Sequence, residues 1–182
     1  RKQAFHQHNE HQQTPQIIQR LKAGETLAMI TDAGTPGISD PAFLLVRACL
    51  SQNIKVECLP GATAFVPALV NSGFPCNEFL FVGFLPQKKG RQSKLKSLAV
   101  ETRTIVFYES PNRLLKLLDE LKNIFGAARL VSVSRELTKL HEENFRGTID
   151  EVIQHFSAKE VKGEIVVVLN SKIEKQTDDE IE

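Results

Sequence analysis

Apolar and polar positions along this 182-residue chain fall into short blocks that switch between the period of a helix and that of a strand. Leu114, Leu117, Leu118, Leu121 and Phe125 recur every three to four residues, which places them on one face of a helix over 110–126. Ser110 caps that helix and Pro111 fits its first turn. Six other blocks are short, apolar and often β-branched, and they predict strands: 26–31 (TLAMIT), 54–59 (IKVECL), 78–85 (EFLFVGFL), 103–109 (RTIVFYE), 129–134 (RLVSVS) and 163–170 (GEIVVVLN). Helices are predicted between them. One runs over 14–24, with Thr14 as cap, Pro15 in the first turn and Gly24 at the exit; others cover 41–52, 61–73 with a kink at Pro67, and the region near 91–101. The last begins at Thr148, which forms a capping-box pattern with Glu151.

Strands alternating with helices predict an α/β protein with a mainly parallel sheet. The segment NSGFPCNE (71–78) is rich in turn residues and has no periodicity, so it marks a boundary between two α/β domains, 1–75 and 76–170. Residues 171–182 form an acidic tail, predicted to fray.

Composition changes this picture in a few places. No apolar run approaches the roughly 18 residues that cross a bilayer, and the first ten residues lack the apolar core of a signal peptide. Cys49, Cys58 and Cys76 are odd in number, lie in or beside apolar segments and show no CxxC spacing, so they predict buried thiols and a cytoplasmic, reducing compartment. A net charge of +1 decides nothing about nucleic acid, but QKKGRQSKLK (87–96) holds five cations and no acid. His6, His8 and His11 stand close together, yet no Cys or carboxylate partner completes a metal site, and none is predicted.

Two glycine-bearing bends carry the candidate chemistry. TDAGTPGISDP (31–41) and PGATA (60–64) each follow a predicted strand and precede a predicted helix. Ligands of open α/β sheets bind beyond the carboxyl ends of strands. Gly34 and Gly37 allow close backbone approach, and Thr35 and Ser39 offer hydroxyls. Two readings stand: a pair of ordinary turns, or two walls of one cleft. Neither bend matches the dinucleotide fingerprint or the phosphate loop, which disfavours ordinary phosphate cradling.

DAGTPGISDP, PGATA, FVGFLPQKKGR, FYESPNRL and SRELTKLHEE followed by RGT occur in this order. In them the chain resembles the bacterial small-subunit ribosomal RNA 2′-O-ribose methyltransferases of the tetrapyrrole-methylase-like superfamily, over nearly all of residues 5–170. The resemblance implies two α/β domains with a cofactor cleft between them, S-adenosylmethionine in that cleft, and a homodimer. It implies methylation of a cytidine ribose in the decoding region, with ribosomal RNA or the assembled small subunit as partner. Gly34, Thr35, Pro36, Ile38, Thr63 and Ala64 would contact the cofactor, and Tyr108, Thr138 and Gly163 would close around its adenosine. The family's opening strand, its TPIGNL-like loop and its EDTR-like motif have no match, so the first domain is expected to be truncated by roughly two βα units.

A ribose hydroxyl is a poor nucleophile near neutral pH, so transfer to it gains from a proton acceptor. Glu136 or Glu142 is the candidate acceptor, with Arg135 and Lys139 for phosphate or carboxylate contact. The alternative is a solvated charge run with mutual salt bridges. Lys88, Lys89, Arg91, Lys94 and Lys96 are candidate RNA-phosphate contacts. Arg113 either joins them or pairs with Glu109, four residues earlier. Competing functions are methylation of a tetrapyrrole or modified protein side chain, and a non-catalytic nucleotide-binding module.

Overall fold

The computed structural model describes residues 2–171, and the acidic tail from 172 lies outside them. The chain divides into two units at Thr63/Ala64.

The first unit is built on two helices, α1 (Glu10–Lys22) and α2 (Phe43–Leu50). Ile17, Ile18, Ala42 and Cys49 are buried within it. The first turn of α2 has no cap of its own; the carboxylate of Glu10 accepts the Leu44 N–H at 3.1 Å instead. A carboxylate there satisfies an orphan donor and complements the helix dipole. The start of α1 corrects the expectation at Thr14. The helix opens at Glu10, after Asn9 has accepted the His6 N–H at 2.8 Å. Thr14 then lies inside, its hydroxyl donating to the Glu10 carbonyl at 2.7 Å.

The strands expected at 26–31 and 54–59 do not form. A strand exists only through pairing, and neither segment is paired among the described residues; Ile30 and Leu59 stay 80% and 77% exposed. The cysteine expectation holds for Cys49, whose thiol is pushed up by burial, but Cys58 and Cys76 are exposed.

The second unit holds a five-stranded sheet with helices on both faces. Its elements are α3 (Phe65–Ser72), β1 (Phe79–Phe84), α4 (Arg91–Leu98), β2 (Thr104–Glu109), a 3₁₀ turn (Pro111–Arg113), α5 (Leu114–Phe125), β3 (Leu130–Arg135), β4 (Glu143–Thr148), α6 (Ile149–Ser157) and β5 (Ile165–Leu169). Strand order is β1-β2-β5-β3-β4. Only β1 and β2 are parallel; β2–β5, β5–β3 and β3–β4 are antiparallel. The expectation of a mainly parallel sheet is therefore corrected. The cause is β4, which the sequence did not announce: ENFRGT lacks a β-branched run and turns back directly on β3. Pro67 is the third residue of α3, inside the first turn, where its missing N–H disturbs nothing, so it breaks no helical hydrogen bond.

Alternation along the strands divides the core. Ile105, Phe107, Val131, Val133, Ile165, Val167 and Leu169 face the layer of α4, α5 and α6. Leu114, Leu117, Leu118 and Leu121 of α5 are fully buried there, as their spacing predicts, and Phe125 is half-buried. Val106, Val166 and Val168 face α3, beside a half-buried aromatic group of Phe65, Phe79, Phe81 and Tyr108. α3 packs over β2, β3 and β5, and the Arg146 Nε of β4 donates to the Asn71 carbonyl at its end, at 2.5 Å.

The capping box at α6 is complete: Glu151 N donates to Thr148 Oγ1 at 3.3 Å and the Glu151 carboxylate accepts the Thr148 N–H at 2.7 Å. Thr148→Ala removes the cap and should cost about 1 kcal/mol of unfolding free energy, read as a lower urea midpoint at unchanged slope. An unaltered midpoint would mean the box adds nothing to this helix.

Candidate functional site

In the first unit the two glycine bends meet. Thr35 Oγ1 donates to the Ala62 carbonyl at 3.1 Å. A Cβ added at Gly34 would stand 3.4 Å from the Ala62 oxygen, and one added at Gly61 the same 3.4 Å from Thr35 Oγ1. Gly34 and Gly37 have φ of 74° and 87°, and Ser39 shares the left-handed region at 59°. Thr31 Oγ1 donates to Asp40 Oδ2 at 2.9 Å and ties the two ends of the first bend. Thr35 and Pro36 are half-buried and Ile38 is 44% exposed, so the bend presents hydroxyl, apolar and backbone groups together. Thr63 closes this unit, and Ala64 in the second is the residue before α3.

In the second unit the candidate residues gather where β3 leaves the sheet and β5 enters it. Arg135 and Ile165 are paired in the ladder. Beyond them Glu136 N donates to the Glu164 carbonyl and Glu164 N to Glu136 Oε1, both at 2.9 Å. Lys139 Nζ bridges Glu136 Oε1 at 2.9 Å and Glu164 Oε2 at 3.0 Å. The Glu164 N–H, followed by Lys139, holds the Glu136 carboxyl below its ordinary value, and Glu136 followed by Glu164 raises the Lys139 ammonium. Gly163 has φ of 90°, and a Cβ there would overlap the Glu136 carboxyl. Glu136 and Thr138 take left-handed φ of 51° and 66°, uncommon for residues with a Cβ. Glu142 fixes that turn: Oε2 accepts the Thr138 N–H at 2.6 Å and Oε1 the Asn144 amide at 3.0 Å.

Arg135 leads to a second cluster. Its Nε donates to Glu143 Oε2 at 3.1 Å and its Nη1 to the Lys162 carbonyl at 3.2 Å. Glu143 Oε1 also meets Lys159 and, at 2.7 Å, the His155 ring, which stacks on Phe145 with centroids 3.8 Å apart. Burial pushes the Glu143 carboxyl up, but Lys159, His155 and Arg135 outweigh it and hold it at about 2. Tyr108 packs edge-on to Phe81 at 5.2 Å and near Phe84 at 5.5 Å, forming an aromatic floor on the α3 face.

The basic loop separates into two kinds of cation. Lys88, Lys89, Lys94 and Lys96 are exposed. Arg91 is 3% exposed and is corrected as a phosphate contact, because its guanidinium faces inward. Nε donates to both oxygens of Glu120 at 3.1 and 2.8 Å, Nη2 approaches Glu109 at 3.3 Å, and Nη1 donates to the Pro86 carbonyl at 3.3 Å. Burial pulls the guanidinium's basicity down, but Glu120 and Glu109 outweigh it and raise it. Arg113 pairs with Glu109 at 2.7 Å, the second of the two roles open to it. Sequence spacing showed that pair, and the charge run allowed the Arg135–Glu143 pair; it gave no sign of Glu120 or Glu164 as partners, which are distant in sequence. Among the described residues no His, Cys, Asp or Glu group is placed to hold a metal ion, and no helix is long and apolar enough to cross a membrane.

Comparison with known proteins now places the chain. The profile of the tetrapyrrole (corrin/porphyrin) methylases matches residues 1–153. Solved neighbours share the fold: the methyltransferase CobJ has a TM-score of 0.67 at 18% identity, covering 89% of this chain and 71% of its own. Uroporphyrin-III C-methyl transferase from Thermus thermophilus, complexed with S-adenyl homocysteine, has a TM-score of 0.60 at 18% identity, with coverage of 88% and 73%. Two proteins named ribosomal RNA small subunit methyltransferase I are nearer in sequence. That of Synechocystis sp. is 47% identical over 91% of this chain and 60% of its own length. That of Thermotoga maritima is 46% identical over 93% of this chain and 76% of its own. The chain belongs to the tetrapyrrole methylase family and, within it, to the ribosomal RNA small subunit methyltransferase I group. It spans about 60% of the length of the Synechocystis relative.

Two predictions follow from the β3–β5 junction. Gly163→Ala forces a Cβ into a left-handed residue against Glu136 and should cost at least about 2 kcal/mol of stability in urea; a near-neutral result would show that the junction yields. Because the folded Glu143 carboxyl lies below its ordinary 4.5, its stabilisation is complete above that value and is lost as pH falls toward about 2. Glu143→Gln should therefore flatten the acid limb of the stability–pH curve by about one proton, and an unchanged limb would contradict the cluster.

Proposed function

We propose that this chain takes part in transferring a methyl group from S-adenosylmethionine to the ribose 2′-hydroxyl of a cytidine in small-subunit ribosomal RNA. The reading is supported by the contact between the two glycine bends, in a chain whose relatives at 46–47% identity are named for ribosomal RNA methylation. The residues fit the donor in chemistry. Gly34, Thr35, Pro36, Ile38 and Thr63 offer close backbone, a hydroxyl and apolar surface to its methionine portion. Tyr108, Thr138 and Gly163 offer an aromatic floor and left-handed backbone to its adenosine. When bound, the donor supplies a methyl group already activated on sulfur.

The chain's own part is to position groups and move a proton. A carboxylate of this chain would accept the proton of the 2′-hydroxyl as the bound donor supplied its methyl group to the oxygen. Glu142 is the better acceptor: its carboxylate is exposed and, although it accepts the Thr138 N–H and the Asn144 amide, it faces no cation among the described residues, whereas Glu136 is half-buried and paired with Lys139 as well as the Glu164 N–H. Arg135 and Lys139 act here by holding that arrangement. Lys88, Lys89, Lys94 and Lys96 take RNA phosphates, fixing register without reading sequence. The protein acts in the cytoplasm as a homodimer. The exposed cations favour a polyanion over a compact tetrapyrrole.

Calorimetry with S-adenosylhomocysteine tests the reading: saturable heat is expected, and none would overturn it. In a methyl-transfer assay on small-subunit RNA, Glu142→Gln should lower turnover by roughly 10²-fold or more while S-adenosylhomocysteine still binds. Full turnover would remove Glu142 from the chemistry.

A further inference from the structure

The basic segment 86–96 carries lysines that face solvent and one arginine that does not. Arg91 reaches back across its own loop. Its Nη1 donates to the carbonyl of Pro86 at 3.3 Å, and its backbone N–H to the carbonyl of Lys88 at 3.3 Å. Gly90, with φ of 84°, makes the reversal that brings the side chain inward. Arg91 thus closes the loop through its guanidinium at Pro86 and its backbone N–H at Lys88, while the Lys88 and Lys89 side chains are exposed.

The anchor is itself fixed from two other elements. Glu120 of α5, with its side chain 11% exposed, accepts from Nε on both carboxylate oxygens. Glu109, at the end of β2 and 1% exposed, meets Nη2; its other oxygen takes Arg113 Nε at 2.7 Å and the Ser110 N–H at 2.8 Å. Two arginines and two glutamates balance in charge, so the group survives burial where a lone ion would not. The fork of Arg meets these partners at fixed angles, which a lysine ammonium cannot reproduce.

We propose that Arg91 is a positioning residue for RNA: the buried Arg91–Glu109–Glu120 cluster sets the lysine-bearing loop in a fixed stance against the end of β2 and the middle of α5, so that Lys88 and Lys89 meet phosphates without first being ordered. This rests on the reading of the loop as a phosphate contact. Ordering a flexible loop on binding would weaken affinity, and a loop already held avoids that cost. Arg91 itself touches no phosphate.

The test compares three variants with the parent chain, using a small-subunit ribosomal RNA fragment across a salt series, S-adenosylhomocysteine, and amide exchange of residues 87–90. Arg91→Lys keeps the charge and loses the fork. It should lower RNA affinity about tenfold and speed loop exchange, with S-adenosylhomocysteine affinity and the salt slope retained. A role confined to stability would lower the melting temperature and leave RNA affinity of the folded protein alone. Glu120→Gln, a milder loss at the cluster's edge, should move RNA affinity and exchange in the same direction and provides the reading if Arg91→Lys fails to fold. The combined Lys88→Ala, Lys89→Ala, Lys94→Ala and Lys96→Ala variant should flatten the salt slope. If that slope does not change, the phosphate reading itself fails. If it flattens while Arg91→Lys and Glu120→Gln leave RNA affinity and loop exchange at parent values, the positioning role alone is overturned.

Discussion

The second unit depends on the pairing of β5 between β2 and β3. All five residues of β5 are buried, and its side chains supply both apolar layers. Its antiparallel entry beside Arg135 brings the 162–164 segment against the 136–139 turn. Without that register, Gly163, Glu136 and Lys139 would not meet. The candidate chemistry at this end of the sheet is therefore a product of strand pairing, with left-handed residues used where two chain reversals share little space.

The charged residues near that junction act mostly on one another. Glu136, Lys139 and Glu164 form one group; Arg135, Glu143, His155 and Lys159 form the next; Glu142 clamps the turn through Thr138. A run that reads as a row of potential reactants is in large part scaffolding. Glu142 keeps an exposed carboxylate while clamping that turn, and the lysines of the 86–96 segment are exposed as well.

What was legible in the sequence was local. Thr148 and Glu151 are three residues apart, and their mutual cap formed as spacing required. The leucine face of α5 was equally plain, and the family motifs identified the tetrapyrrole methylase fold. The two glycine bends were visible as bends, but the contact between Thr35 and Ala62, 27 residues apart, was not. What was hidden depended on distant partners. Arg91 reads as one more cation until Glu120, 29 residues on, is seen to hold it. The sequence of β4 is too polar to announce a strand, since an edge position asks for pairing on one side only. Conversely, 26–31 and 54–59 have a strand's composition, but composition supplies no neighbour to bond with.

The separation of cations in the 86–96 segment has a consequence for how the protein responds to its medium. Exposed lysines feel ions in solution, which damp their field within about 8 Å at physiological strength. The inward guanidinium and its carboxylates are shielded from those ions by the protein around them. Rising ionic strength therefore weakens the outward reach of the lysines while the inward guanidinium and its carboxylates stay paired.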